Sequence, residues 1–265
     1  MGLFASNRTV LVTGASSGIG VELARLFAGN GDRLILTARR EDRLKALAEE
    51  LTAKHSVQVS IFPADLIKPD GVKKLAIEIG RKGHVVDVLV NNAGFGLRGK
   101  FAKLPLDRQL EMVQVNVTAA TALAGIFLPG MLARGKGGIL NVASLAAFQA
   151  GPDMAVYYAT KAYLLSLSEA LHEEAREKGV TVTALCPGPV PTEFGEVAKM
   201  GDAALFKTGV VSAVDVAKAG FDGFQEGRAI VIPGALPKLG AFGTRLLPRG
   251  VARRLAQELQ RVKEE

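Results

Sequence analysis

Apolar and polar positions along this chain alternate in blocks, short apolar runs giving way to helical stripes and back again. Residues 10–12 form an apolar run that enters Thr13-Gly14-Ala15-Ser16-Ser17-Gly18-Ile19-Gly20. Ile19, Leu23, Leu26 and Phe27 then recur at i, i+4, i+7 and i+8, so one face of a helix is apolar. Residues 33–38 read as a second strand ending at Arg39-Arg40, and Leu44, Leu47 and Leu51 mark the helix after it. A third strand over 57–62 closes at Asp65-Leu66. Pro69 suits the start of the next helix, whose apolar face is Val72, Leu75, Ala76 and Ile79. A fourth strand over 85–90 ends in Asn91-Asn92-Ala93-Gly94. A long helical stretch from about Asp107, a strand over 138–143, a helix over 156–178 and a strand over 180–186 complete the series.

Strands alternating with helices, the strands apolar and rich in β-branched residues, predict a parallel sheet covered on both faces. Right-handed crossovers make it a doubly wound, Rossmann-like α/β fold with its ligand crevice at the carboxyl ends of the strands. Thr13, Arg39, Asp65, Asn91, Ser144 and Pro187 all fall on that rim. No linker or composition break precedes Gly234, so residues 1–234 read as one domain. Residues 235–265, Gly- and Pro-rich and then carrying a Val251, Leu255, Leu259, Val262 stripe, read as an extension of it.

Composition narrows the picture. With 48% hydrophobic residues among 265, the chain can bury a large core. One cysteine, Cys186, excludes an internal disulfide and suits a reducing, cytoplasmic setting. With only His55, His84 and His172 beside it, no Cys/His metal site is expected. Net charge is +7, and seven basic against three acidic residues in 238–265 supply +4 of it. The basic residues are not interleaved with aromatics, so nucleic acid is not an expected partner. The basic tail reads as a contact with its own domain or another subunit, with a membrane surface as the alternative. Residues 112–133 carry no charge, but Gln114, Asn116, Thr118, Thr121 and Pro129 favour a buried helix over a spanning one. No secretory leader is apparent; residues 1–6 match the loose acylation pattern at Gly2.

The glycine turn places backbone N–H groups and a helix N-terminus where a phosphate can sit. Its spacing, G-x-x-x-G-x-G, fits the common dinucleotide fingerprint only loosely, and a plain strand–helix corner is the bland alternative. Tyr157 and Lys161 stand at i and i+4 and so share a helix face. Ser144 ends the strand thirteen residues before Tyr157, and Asn116 is an amide inside an apolar helix. Each alone has an ordinary explanation, since such pairs decorate many helices and serine often ends a strand.

Taken together these residues resemble the short-chain dehydrogenase/reductase family, over residues 8–234. Thr13 to Gly20 is similar to its cofactor turn, with Gly14, Ser16, Ser17, Gly18, Ile19 and Gly20 implied as binding residues. Asn91 to Gly94 is similar to its Asn-Asn-Ala-Gly signature, implicating Asn92, Ala93 and Gly94. Asn116, Ser144, Tyr157 and Lys161 match its catalytic tetrad, and Pro187-Gly188-Pro189-Val190-Pro191-Thr192 its Pro-Gly-x-Val-x-Thr segment.

The resemblance implies hydride transfer between a nicotinamide and a carbonyl or alcohol carbon. Tyr157 would give the proton, its pKa lowered by Lys161; Ser144 would orient the substrate oxygen; Asn116 would hold a water linking Lys161 to solvent. Tyr158 is the competing acid, but only Tyr157 fits the family spacing. Lys161 would also hold the nicotinamide ribose, Pro187, Gly188, Val190 and Thr192 the nicotinamide side, and Asp65 with Leu66 the adenine edge. Ala38 followed by Arg39 and Arg40, where an acidic residue would select NAD(H), points to NADP(H), with NAD(H) still open. Phe95, Phe148, Met154, Phe194 and Phe206 suggest an apolar substrate pocket. The implied activity is a carbonyl reductase or alcohol dehydrogenase. Acyl-thioester reduction is a variant of it, and a catalytically silent cofactor-binding sensor the alternative. A homodimer or homotetramer is the expected assembly, the long tail counting against the tetramer.

Overall fold

In the computed structural model, residues 8–197 and 210–234 are described, together with 238, 250, 251 and 254. Seven parallel strands form one sheet: β1 (Thr9–Thr13), β2 (Arg33–Thr37), β3 (Val59–Ile61), β4 (Val88–Asn91), β5 (Gly138–Val142), β6 (Thr181–Leu185) and β7 (Ile230–Val231). Their spatial order is β3-β2-β1-β4-β5-β6-β7. The strand order reverses between β1 and β4, which opens the crevice at their carboxyl ends.

Period-two alternation sends each strand's side chains to opposite faces. Val10, Val12, Leu34, Leu36, Val88, Val90 and Leu140 pack under α1 (Gly18–Gly29), α2 (Glu41–His55) and, in chain order the last helix of the sheet, the helix Ala213–Gln225. That face is closed by Leu23, Phe27, Leu44, Leu51 and Phe224. Leu11, Ile35, Leu89 and Ile139 point the other way, toward Leu75 and Ile79 of α3 (Gly71–Arg81) and Leu123 and Met131 of the long helix. Every strand residue of β1, β4, β5 and β6 is buried, as a sheet covered on both sides requires.

The long helix begins as α4 (Leu106–Val113), passes through a π-helical segment Gln114–Ala119 and continues as α5 (Ala120–Arg134). Among the described residues it alone is long and apolar enough to cross a membrane. Met112, Leu123, Ala124 and Met131 are buried, but Ile126 is 44% exposed, so the helix is half-buried rather than enclosed. α6 (Ala155–Arg176) covers β5 and β6, and the five-residue α7 (Glu193–Val197) follows the Pro-Gly segment; Ala213–Gln225 is then α8.

The sequence reading stops short at four elements. Neither α8 nor β7 is foreseen, and the third and fourth strands are shorter than 57–62 and 85–90. Val85 is 54% exposed, outside the sheet. The 1–6 pattern, Phe206, and the Leu255, Leu259 and Val262 stripe lie outside the described residues.

Candidate active site

β1 ends at Thr13, and the turn beyond it is fastened to the end of β4. Thr13 Oγ1 donates to the Val90 carbonyl (3.1 Å) and accepts from the N–H groups of Asn92 and Ala93, both at 3.0 Å. The Asn92 amide donates back to the carbonyls of Thr13 (2.9 Å) and Gly14 (3.2 Å). Gly14 has φ +64°, and a Cβ there would stand 2.9 Å from Ala93 Cα; one on Gly20 would stand 2.5 Å from the Gly14 carbonyl oxygen. These glycines therefore let two segments of the chain close on each other. Asn92 and Ala93 act here as staples of the turn.

The turn leaves the N-terminus of α1 open. Ser17 is the N-cap residue, but its hydroxyl makes no capping bond, and no acidic side chain lies in the first turn. The first N–H groups of a helix have no partner within it, so an uncapped start without a carboxylate is fit to receive an anion. Ser16 is held by the Arg40 guanidinium, which donates to Ser16 Oγ at 3.1 Å and 3.3 Å. Arg39 is exposed and, among the described residues, has no charged partner. No carboxylate stands at the end of β2 itself, where Ala38 follows Thr37. The open helix end and the basic rim fit a phosphorylated dinucleotide. Asp65 accepts from the Ile67 N–H (3.1 Å), while Leu66 is buried in the core facing α3.

Ser144, Tyr157 and Lys161 meet at the carboxyl end of β5. Lys161 Nζ donates to the carbonyl of Val142, the strand's last residue, at 2.7 Å. Its ammonium lies 5.8 Å from the centre of the Tyr157 ring. Ser144 Oγ accepts from the Ala146 N–H (3.1 Å), fixing the short helical turn Leu145–Phe148 beside the tyrosine. Gly94 faces the same spot: a Cβ there would stand 2.9 Å from Asn116 Oδ1 and 3.6 Å from Lys161 Nζ.

Asn116 sits in the π-helical segment, a distortion common at functional sites. Its Oδ1 accepts from the Phe95 N–H (3.1 Å), and its Nδ2 donates to the Phe95 carbonyl (2.9 Å) and to Thr160 Oγ1 (3.1 Å). Both of its N–H donors are thus spent on holding the loop after β4 against α6.

A family model for short chain dehydrogenases matches residues 8–201 of this chain. The chain belongs to the short chain dehydrogenase family. An uncharacterized oxidoreductase of Myxococcus xanthus is 37% identical over 71% of this dehydrogenase and 74% of the relative. A very-long-chain 3-oxoacyl-CoA reductase of Anas platyrhynchos is 33% identical over 71% of this chain and 62% of its own length. Among solved structures, a short-chain dehydrogenase from Sphingobium yanoikuyae in complex with NADPH superposes with TM-score 0.81 at 31% identity, covering 97% of this chain and 98% of the other. A family member from Burkholderia phymatum in complex with NAD superposes with TM-score 0.79 at 27% identity, covering 98% of each. This dehydrogenase is therefore an oxidoreductase of a family whose members take pyridine nucleotides.

Electrostatics at the dehydrogenase's site depart from the sequence-based expectation. Burial pushes the Tyr157 phenol up to about 12, against the opposing pull of the Ser144 hydroxyl. Burial also brings the Lys161 ammonium down to about 8. In the free protein desolvation dominates, so the phenol is raised rather than lowered. Tyr158 is likewise raised by burial, and its ring presses on the Gly151 backbone, a packing position. The Cys186 thiol, pushed up to about 12 by burial, is also a packing group.

Met154, Phe95 and Phe194 gather around Tyr157, with Leu97 and Met112 joining them. The Phe194 ring stands 5.4 Å from that of Tyr157. Phe148 packs elsewhere, against Ala143, Leu165, Ala184 and Cys186. Across the Pro-Gly segment, the Pro187 carbonyl accepts from the Leu145 N–H (2.9 Å), Gly188 is half-buried and Val190 is buried in the core under α1. The Thr192 methyl approaches Gly18, where a Cβ would meet it at 3.1 Å. Sequence reasoning missed Asn141 and Ser168, whose buried chain of bonds from Asn91 through Asn141 to Ser168 (2.9 Å each) ties β4, β5 and α6 together beneath the site. Asparagines at paired positions of neighbouring strands are the signal that could have found it.

Proposed function

We propose that this dehydrogenase transfers hydride between NADP(H) and a carbonyl or secondary-alcohol carbon of an apolar substrate. The observation that carries the reading is the convergence of Ser144, Tyr157 and Lys161 on one end of β5, walled by Met154, Phe95 and Phe194. When bound, the nicotinamide supplies or accepts the hydride. In reduction Tyr157 gives its proton to the substrate oxygen. A phenol held near 12 is fully protonated at neutral pH, the form that reduction consumes. Ser144 orients that oxygen by a hydrogen bond. Lys161, the only cation beside the phenol among the described residues, favours the phenolate that the reverse reaction needs. Asn116 keeps the chain after β4 fixed against α6, so the two halves of the site hold their spacing.

The basic residues at the end of β2 support NADP(H) over NAD(H). A charge-assisted arginine contact to phosphate contributes about 1.5–3 kcal/mol, or about 10- to 150-fold in affinity. Ala38→Asp with Arg39→Ser should therefore weaken NADP(H) by about that factor and leave NAD(H) similar or improved. The test is kcat/KM for both cofactors in wild type and double variant, over a panel of apolar ketones, aldehydes and 3-oxoacyl thioesters. The thioesters belong there because a relative acts on very-long-chain 3-oxoacyl-CoA. Equal use of both cofactors by wild type, unchanged in the variant, would make Arg39 a surface charge only.

A further inference from the structure

Glu193 opens α7, directly after the Pro-Gly segment, and reaches across to α2. Its Oε2 accepts from Arg40 Nη1 at 2.8 Å, and its Oε1 accepts from Arg43. The same Arg40 guanidinium donates to Ser16 Oγ and to the Ser16 carbonyl. The two arginines hold the Glu193 carboxyl below the usual carboxylate range. A carboxylate of the chain itself thus lies on the arginine fork at the mouth of the glycine turn, 153 residues from Arg40 in sequence. The contact also has a far end. Phe194, the next residue, has its ring 5.4 Å from that of Tyr157, tilted by 48°, and would meet a Cβ on Gly96 at 2.8 Å. Thr192, the residue before, rests on Gly18. Glu193 therefore fastens a short segment lying over the cofactor turn at one side and the reacting tyrosine at the other.

We propose that Glu193 is a specificity-determining residue: an internal anion that competes with the adenosine 2′-phosphate for Arg40 and, when displaced, loosens α7 over Tyr157. This rests on the NADP(H) reading above. A dianionic phosphate and a carboxylate cannot share one guanidinium fork without mutual repulsion, so a 2′-phosphate that engages Arg40 and Ser16 must expel Glu193 from Arg40. A cofactor without that phosphate leaves the contact in place. The phosphate would then set both affinity and the closure of the segment that carries Phe194.

The test uses adenosine fragments on the whole protein. Calorimetric Kd values for 2′,5′-ADP and 5′-AMP are measured in wild type and in Glu193→Gln. An exposed ion pair accounts for about 2- to 5-fold in an equilibrium. Glu193→Gln should therefore bind 2′,5′-ADP about 2- to 5-fold more tightly, with 5′-AMP unchanged. A second measurement needs no variant: amide hydrogen exchange across 193–197 in wild type should be faster with 2′,5′-ADP bound than with 5′-AMP bound. Equal or weaker 2′,5′-ADP binding by Glu193→Gln, or exchange that is equal or slower, overturns the competition while leaving cofactor preference standing. Wild type that binds both fragments equally, together with an unresponsive variant, overturns the competition and the NADP(H) reading together.

Discussion

Arg8 and Lys161 are both buried cations, 8% and 6% exposed, set at opposite ends of the same sheet, and only one of them has a carboxylate. At the amino end, Arg8 donates to both oxygens of Asp32 (3.0 Å and 2.8 Å), and Asp32 also accepts from the Arg8 N–H and from Asn30. Gln225 of α8 takes a further guanidinium N–H, so the network locks β1, β2 and α8 together. At the carboxyl end, Lys161 has a single bond to a main-chain carbonyl, and burial drags its pKa to about 8. A buried charge without a counter-ion costs several kcal/mol less its hydrogen bonds, and a paired one recovers most of that. The amino end of the sheet is built for stability. The carboxyl end keeps a cation beside a phenol, and on the function proposed above the chemistry uses it.

Three substitutions sharpen this contrast. The largest effect should come from Asp32→Ala, which strands Arg8 inside the protein. Breaking one side of a buried pair costs about 3–5 kcal/mol, so the denaturant midpoint should fall steeply while turnover per folded molecule stays near wild type. A small loss, under about 1 kcal/mol, would place Arg8 among ordinary surface pairs. Next comes Tyr157→Phe, which removes the proposed proton donor but keeps the ring against Phe194. Turnover should drop by about 10²-fold or more, with cofactor binding retained and melting little changed. Full activity there, with loss in Tyr158→Phe, would move the acid to the neighbouring residue. The third and smallest effect is Lys161→Met, read as stability. The folded-state pKa of about 8 lies below the ordinary 10.5, so the lysine's stability deficit is full below pH 8 and fades as pH rises toward 10.5. Allowing for the lost bond to Val142, the variant should gain about 1–2 kcal/mol at pH 7, a gain that shrinks at higher pH.

The same contrast explains what the sequence could and could not reveal. Residues 10–12, 88–90 and 138–142 are buried on both faces, so their apolar runs were plain; so was the stripe of Leu44, Leu47 and Leu51, all buried. Tyr157 and Lys161 were legible because helical spacing brings them together locally. β7 was not, being two residues long, with only Ile232 between it and Pro233. α8 was overlooked because its buried stripe of Val216, Ala217, Gly220, Gly223 and Phe224 is made largely of small residues, the two glycines letting Leu185 and Val231 approach. The π-helical turn at Asn116 has no proline or glycine to announce it, and Pro129, which does sit in that helix, lies ten residues beyond its end. Long-range pairs such as Arg8 with Gln225 and Arg40 with Glu193 carry no local signature at all. Nor does desolvation: reading residue types alone, a lysine beside a tyrosine predicts a lowered phenol, whereas burial raises it.

Whether the carboxyl end of the sheet gives up stability for reactivity at Lys161 is decided by one paired measurement. Unfolding free energy and reduced-cofactor turnover are determined for wild type and Lys161→Met at pH 7, and the unfolding again near pH 10. Lys161→Met should be about 1–2 kcal/mol more stable at pH 7, less so near pH 10, and about 10²-fold or more slower. A variant less stable than wild type at pH 7, or one that turns over normally, would contradict the trade of stability for reactivity.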